Sequence, residues 1–374
     1  MEEQNIERRQ LLSLGVLLFL APALRLFPAE TAAAAGRAAW LTPFAALPLL
    51  LFYAVFLTKL LSLRREGEAL PALIGRTAGK PALALTALWL LLYTAFVLRA
   101  GADRFVGTVY PRASYAVFAE VMGVLALAGA LTGPRALARV GRMLLPFVLG
   151  ILLLLLLISL RAVRLDNLWP LHPRNLPALA RGALAPLDVV AGAAAALSFP
   201  GRAGKEKPDA QRALMLWMAG LCALLTLLAL AVTGSLGHEL TAELSRPFFV
   251  LVRTLTFFRT VERVEALVVM LWIFPDFLTA SLFLQAFSQC LYRLLGGGEE
   301  GSLAARAGLK TGRPLIWLGA PAAVALSLFL APDARRLERW SQALIPACNL
   351  LFCFVLLPAV YGLAKWKEKK KENQ

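Results

Sequence analysis

Apolar runs of membrane-spanning length recur along the whole chain, and clusters of arginine or lysine bound them. A helix needs about 20 apolar residues to cross the hydrocarbon core of a bilayer, and inside that core every backbone polar group must be bonded internally. The 374-residue chain is 59% hydrophobic and only 17% charged, with a mean hydropathy of +0.69. The sequence therefore predicts an all-α polytopic membrane protein.

We expect ten spans, with ends accurate to about 2–4 residues. They cover residues 11–34, 38–61, 81–102, 115–132, 143–163, 183–200, 213–234, 264–292, 314–331 and 342–364. No small-residue cleavage site follows the first apolar run, so we expect that run to remain in the mature protein. The hydrophilic stretches between spans are too short for a soluble domain, which predicts a single integral membrane domain over residues 1–374.

The net charge of +16 is explained by membrane topology and does not indicate nucleic-acid binding. An even number of spans places both termini on one side, and all ten lysines fall on that side. Because positively charged residues favour the cytoplasmic side, both termini are predicted to be cytoplasmic. The basic tail, residues 365–374, is expected to anchor this topology and to contact anionic lipid.

The first and last five spans form two halves, repeat one at about 11–163 and repeat two at about 183–364. Span 1 contains the stretch APALRLFPAE and span 6 the stretch APLDVVAGAAAALSFPG, and prolines interrupt both. Five spans is an odd number, so the second half must enter the membrane in the opposite orientation. Interrupted helices at matching positions of two such halves are typical of inverted-repeat transporters.

The interruption of span 1 is a candidate binding site. The run from Leu11 to Leu24 has 14 residues, about 21 Å of helix, which is too short to cross about 30 Å of hydrocarbon. Pro28 has no backbone N–H and leaves acceptors free near Leu24, which is tolerated at membrane depth where they line a polar cavity. The alternative is that span 1 ends near Phe27 and that Arg25 extends to the outer interface.

Three local patterns resemble one known family. They are GRAAWL at 36–41, GPRALARVGRMLLP at 133–146 and RTVERVEALVVMLWIF at 259–274. With ten spans and a lysine-rich tail, the chain resembles the GerAB-type spore germination permeases, the B subunits of germinant receptors in the amino acid–polyamine–organocation superfamily. The resemblance covers nearly the whole chain, and the ERxE pattern in the third motif is its most specific part.

The resemblance implies a LeuT-like core of two inverted five-helix repeats, with a site between the broken helices 1 and 6. It also implies A and C subunit partners, the inner membrane of an endospore, and the sensing of a small nutrient germinant such as an amino acid. Two features depart from amino acid permeases. Helix 1 has no glycine-rich break to offer backbone amides to a carboxylate, so Arg25 could supply the positive charge instead. Helix 5 has no lysine, which weakens a proton-coupled uptake interpretation.

Candidate ligand-binding residues are those that interrupt helices 1 and 6 or carry polar and aromatic groups at mid-span. They are Pro22, Arg25, Leu26, Tyr93, Asp188, Gly192, Ala193, Trp272 and Asp276. Ionisable groups at membrane depth usually face a cavity or a partner. Arg25 could pair with Asp188 or Asp276, or bind the carboxylate of a ligand. The structural alternatives are a packing acid for Asp276, helix-end solvation for Asp188, interfacial extension for Arg25, close helix packing for Gly192, and interfacial placement for the rings of Tyr93 and Trp272.

The family pattern also points to Glu262, Arg263 and Glu265 as residues of a gate or a subunit contact, although acids in a first helical turn are equally explained by the helix dipole. Enzyme motifs are absent from the sequence, so we expect neither catalysis nor a cofactor. The four cysteines all fall within predicted spans and are interpreted as small apolar residues. Three functions remain open: a germinant receptor subunit, an amino acid transporter, and a conduit for ions or water.

Overall fold

The structure is a computed structural model that describes residues 6–63, 69–77, 79–108, 110, 112–170, 176–200, 209–254 and 264–372. All regular secondary structure within these residues is helical. The α-helices are α1 Arg8–Arg25, α2 Phe27–Ala35, α3 Thr42–Ser62, α4 Leu70–Thr77, α5 Gly79–Thr108, α6 Tyr115–Thr132, α7 Pro134–Ser159, α8 Leu176–Gly182, α9 Leu184–Ala196, α10 Asp209–Leu236, α11 His238–Glu243, α12 Pro247–Thr254, α13 Val264–Leu294, α14 Leu303–Arg306, α15 Ile316–Leu330, α16 Ala334–Arg339, α17 Ile345–Leu351 and α18 Leu357–Glu372.

Apart from the short helices α4, α11, α12 and α14, these elements are grouped into the helices numbered 1 to 10, in the order predicted. Helix 1 consists of α1 and α2, and helix 6 consists of α8 and α9. Helices 2, 3, 4, 5, 7, 8 and 9 are α3, α5, α6, α7, α10, α13 and α15. Helix 10 joins α16, α17 and α18 through two π-helical segments, Trp340–Leu344 and Phe352–Leu356.

Nine helical stretches in the described part of the chain are long and apolar enough to cross a membrane, so this is an integral membrane protein. The difference from ten predicted spans arises at the N-terminus. There α2 and α3 follow one another through a 3-10 segment and form one continuous stretch, Phe27–Ser62. The preceding helix α1 has 18 residues and carries three arginines. Gly36 has φ +57 at the turn between α2 and α3, a conformation that glycine adopts without steric cost.

The predicted interruption of helix 1 lies at Leu26. Helix α1 continues through Pro22, and the Leu26 N–H donates to the Pro22 carbonyl at 3.1 Å. The next helix begins at Phe27 with Pro28 in its first turn, where a proline costs no helical hydrogen bond. The proline therefore ends one helical segment and starts the next, and the break is a kink of one residue.

Helix 6 is interrupted once within the described residues, at Ala183, which separates α8 from α9. Beside it, Gly182 packs closely against Thr42, whose side chain would lie 2.7 Å from an added Cβ. Helix α9 continues through Pro186 and Gly192 and ends at Ala196. Residues 197–200 form a buried turn after helix 6, where the Ser198 carbonyl accepts from the Leu70 N–H at 3.3 Å. Helix 6 thus ends about one turn beyond Gly192, and neither Pro186 nor Gly192 interrupts it.

The helices that surround the site are buried on most sides, whereas the outer helices are not. Helices α5 and α13 pack along each other more extensively than any other described pair, and α1 packs between α7, α9 and α13. Large apolar side chains such as Phe52, Phe147 and Phe329 are exposed on α3, α7 and α15. Because lipid tails are as apolar as these side chains, such surfaces are expected to face the bilayer.

The short helices α11 and α12 pack against the bundle and do not span it. Phe248 and Leu251 of α12 are fully buried, and the Phe249 ring lies 5.8 Å from the Trp272 ring. Arg246, just before α12, donates to the Asp103 carboxylate at 2.6 Å. This ion pair ties the segment between helices 7 and 8 to helix 3.

Candidate functional site

A cavity of about 350 Å³ lies where helices 1, 3, 6, 8 and 10 meet, and we call it the central cavity. Its lining residues are Leu18, Pro22, Trp89, Tyr93, Asp188, Val189, Gly192, Ala193, Ala196, Thr279, Phe283 and Asn349. Five of the nine predicted ligand-binding residues are among them: Pro22, Tyr93, Asp188, Gly192 and Ala193. The structure therefore brings together residues from both interrupted helices at one enclosed space.

The central cavity contains one carboxylate and a small set of neutral polar groups. Asp188 is only 7% exposed, and its Oδ1 has no hydrogen-bond partner among the described residues. The Asn349 side chain interacts with both Asp188 and the Tyr93 hydroxyl. The Asn349 Oδ1 also accepts a hydrogen bond from the Trp89 indole at 3.0 Å. These polar groups converge on one end of the cavity, and the Asp188 oxygen is left free to bind a donor.

Aromatic rings, which we call the aromatic wall, also line the central cavity. The Trp89 ring stacks on Phe352 with centroids 4.0 Å apart and planes only 5° from parallel. Phe283 lies 5.3 Å from Trp89 and 5.0 Å from Tyr93. A mostly apolar concave site with a few placed polar groups is typical of small-molecule pockets.

Small residues on α9, among them Gly192 and Ala193, leave part of the central cavity unfilled. A Cβ added at Gly192 would approach only the Asn349 Nδ2, at 3.8 Å, which is an ordinary contact. Gly15 of α1 differs, because an added Cβ would lie 2.8 Å from Leu197 and from Trp217. Tight helix packing thus requires glycine at position 15 and not at position 192, where the missing side chain contributes open volume.

Arg25 and Leu26 lie beside the kink of helix 1 and do not line the central cavity. Arg25 is buried, and its guanidinium carbon lies 4.6 Å from the centre of the Phe96 ring. Its Nη2 has no hydrogen-bond partner among the described residues. One turn further, the Glu30 Oε1 is also buried without a described partner, and sequence reasoning did not single it out.

Trp272 and Asp276 lie at a different place, a second cavity of about 260 Å³ between helices 3, 4 and 8. Asp276 forms an ion pair with Arg104, and both side chains are about 95% buried or more, with exposures of 3% and 5%. A Cβ at Gly101 would lie 3.2 Å from the Asp276 carboxylate, so a glycine permits this close approach. The structure therefore pairs Asp276 with Arg104, whereas the sequence suggested Arg25 as its partner.

Sequence reasoning missed Asn349 and Arg104, although each carries a signal. Asn349 is an amide within the apolar run IPACNLLFCFV, and such a group at membrane depth usually has a partner. Arg104 was assigned to a loop because the sequence turns polar after residue 102. In the structure α5 extends to Thr108 and brings Arg104 opposite Asp276.

The predicted gate residues cannot be placed against this geometry. Glu262 and Arg263 lie outside the described residues, and Glu265 lies in the first turn of α13 with its side chain outside the description. Within the described part of the chain, no three His, Cys, Asp or Glu side chains are grouped closely enough to hold a metal ion.

Solved structures with similar folds include two proteins described as a transporter or a symporter and a third in complex with an amino acid. The structure of MhsT in complex with L-phenylalanine aligns with a TM-score of 0.63 at 13% identity, covering 97% of this chain and 89% of that one. The closed, bromovinylhydantoin-bound Mhp1, a nucleobase-cation-symport-1 transporter, aligns at 0.62 and 11% identity, covering 96% and 80%. A substrate-bound Na⁺-coupled sialic acid symporter aligns at 0.57 and 13% identity, covering 92% and 79%.

These likenesses establish the fold. They confirm the predicted LeuT-like architecture of two five-helix repeats with interrupted helices 1 and 6. No curated protein matches the chain in sequence. A family model described as spore germination protein, the spore permease family, matches residues 5–306. The chain therefore belongs to the spore germination protein family, the permease-like membrane proteins that the sequence motifs indicated.

Proposed function

We propose that this protein binds a small amino acid in the central cavity and acts as the B subunit of a spore germinant receptor. The observation that carries the proposal is the free Oδ1 of Asp188, buried at the meeting point of the two interrupted helices. The family and the fold already show that this is a permease-like membrane protein.

Asp188 selects for an ammonium group. An ionised carboxylate that is buried without a cation is costly, and an ammonium ion provides both the opposite charge and hydrogen-bond donors. The Asn349 amide and the Tyr93 hydroxyl lie beside it and add further polar contacts. We infer that the amino group of the ligand lies between these three side chains.

Arg25 is the proposed partner of the ligand's carboxylate. It lies one helical turn beyond Pro22 of the cavity wall, and its Nη2 has no partner among the described residues. A guanidinium replaces the backbone amides that a glycine-rich helix 1 would offer. Leu26, at the kink, would let this end of helix 1 move toward the ligand.

The remaining volume restricts the side chain of the ligand. The open space beside Gly192 and Ala193 is narrow, so the side chain of the ligand must be small. The aromatic wall of Trp89 and Phe283 faces this space and favours an apolar group. We therefore propose a small apolar amino acid as the ligand.

Signalling requires that the ligand bind one conformation better than another, because equal affinity shifts no equilibrium. The kink at Leu26 and the turn at residues 197–200, which follows helix 6, are the proposed hinges of this change. The conformational change would be transmitted to the A and C subunits in the inner membrane of the endospore, with both termini on the core side. The family membership supports this assembly.

Transport of the amino acid is the second candidate function. It is favoured by the fold, which this chain shares with symport-family proteins over more than 90% of its length. Both functions use the same cavity and differ in whether the ligand crosses the membrane. A conduit for ions or water has no comparable support.

The binding proposal is tested by thermal unfolding of the purified protein with a panel of amino acids. Each is paired with its N-acetylated form, which lacks the ammonium, and with the corresponding amine, which lacks the carboxylate. We expect saturable stabilisation by one or more small amino acids, its loss on N-acetylation, and its loss in Asp188→Asn. Asp166→Asn, at an exposed position, is the matched control and should retain it. Unchanged stabilisation of Asp188→Asn would exclude the site.

Receptor and transporter are then separated by two further measurements. Saturable uptake of the identified ligand by the protein alone in liposomes would establish transport. Co-purification with A and C subunits, and a germination response abolished by Asp188→Asn at normal protein levels, would establish the receptor role.

A further inference from the structure

We propose that the second cavity binds a small monovalent anion, with chloride as the simplest occupant, through the Trp272 indole N–H and the Arg104 Nε–H. This site is distinct from the central cavity, since the two share no lining residue. The proposal does not depend on which ligand occupies the central cavity.

Two hydrogen-bond donors line this cavity without acceptors. Trp272 is 3% exposed and Arg104 is 5% exposed. The Trp272 Nε1 and the Arg104 Nε have no hydrogen-bond partner among the described residues. Buried donors are nearly always paired with protein or with a bound species, so two such donors at one cavity indicate an occupant that accepts from both.

Two other polar groups at this cavity are already engaged. The Asp276 Oδ2 accepts from the Arg104 Nη2, and the Thr108 hydroxyl donates to the Arg104 carbonyl at 2.6 Å. The rest of the wall is apolar and includes Met122 and Ile273. An anion accepts hydrogen bonds and brings no proton of its own, whereas a water molecule brings two protons that need acceptors.

The size of the second cavity limits what it can hold. The cavity has room for a species about the size of one water molecule and not for an organic ligand. A monatomic anion is therefore a better match than an amino acid.

Thermal unfolding of the full-length protein in sodium chloride and in sodium gluconate, at equal ionic strength and without amino acids, tests the proposal. We expect a saturable rise of the unfolding midpoint with chloride that gluconate does not produce. Trp272→Phe removes the indole donor, and Arg104→Lys keeps the charge facing Asp276 but removes the Nε–H. The chloride effect should disappear in the first and weaken in the second. Trp317→Phe, at a position 62% exposed on α15, is the matched control and should retain the whole effect.

Equal midpoints in the two salts for the unmodified protein would overturn the proposal, and so would an undiminished chloride effect in Trp272→Phe. Because a variant could fail to fold, bromide provides a second measurement on the unmodified chain. An anomalous scattering peak between Trp272 and Arg104 in crystals grown with bromide would support the site. Its absence there at saturating bromide would refute it.

Discussion

Loss of the buried ion pair between Arg104 and Asp276 should destabilise the protein strongly. Replacing Asp276 by Asn leaves a guanidinium that is 5% exposed without its counter-charge. Removal of one partner from a buried pair costs about 3–5 kcal/mol, which is a change of roughly 100- to 4,000-fold in the unfolding equilibrium. The Asn side chain still offers Arg104 a carbonyl acceptor, so we expect a loss of about 3 kcal/mol, the lower end of that range.

The assay is reversible unfolding in mixed micelles, with the membrane-inserted yield measured alongside. Glu7→Gln breaks an exposed ion pair, in which Arg142 lies 3.0 Å away and the two side chains are 68% and 49% exposed. It is the control and should cost less than about 1 kcal/mol. The double replacement Arg104→Met with Asp276→Leu removes both charges and should restore most of the loss, because a buried pair can be exchanged for apolar residues of similar volume.

Two results would contradict this reasoning. Asp276→Asn could prove no more destabilising than Glu7→Gln, which would mean that the pair is not desolvated. The double replacement could prove as unstable as the single one, which would mean that the loss comes from packing and not from an uncompensated charge.

Three further predictions concern single side chains. Gly192→Ala should leave the thermal midpoint unchanged, because the added Cβ meets only Asn349 at 3.8 Å, but it should weaken ligand-induced stabilisation by occupying cavity volume. Asn349→Leu removes the acceptor of the Trp89 indole, and the orphaned N–H should lower the free energy of unfolding by about 1–3 kcal/mol, measured in micelles. Gly36→Ala forces a side chain onto φ +57 and ψ −129 and should cost about 1–3 kcal/mol in the same assay; an unchanged midpoint would mean that the turn relaxes freely.

The architecture could be predicted from the sequence because the bilayer imposes it. Apolar run length predicted the order of the helices, and proline positions predicted the interruption at Leu26 to within a few residues. Helix 6 was less predictable. The sequence pattern predicts an interruption at Pro186 and Gly192, yet α9 remains helical through both residues as far as Ala196.

The partners of the polar groups could not be predicted from the sequence. Which acid meets which arginine depends on the register of two helices that are far apart in the chain, and Arg104 is 172 residues from Asp276. Arg25 was a reasonable partner by composition alone. The extension of α5 by one and a half turns past its apolar run is what brings Arg104 to the contact. Asn349 likewise reaches Asp188 only because helix 10 packs against helix 6.

The two π-helical segments of helix 10, Trp340–Leu344 and Phe352–Leu356, flank the helical turns that carry Asn349. A π turn closes its hydrogen bond over one more residue than an α turn, and one residue corresponds to about 100° of rotation around a helix. Converting either wide turn to an α turn would therefore rotate the helix on one side of it by about 100° relative to the other side. The two π-helical segments thus fix the direction in which the Asn349 side chain points, toward Trp89 and Asp188.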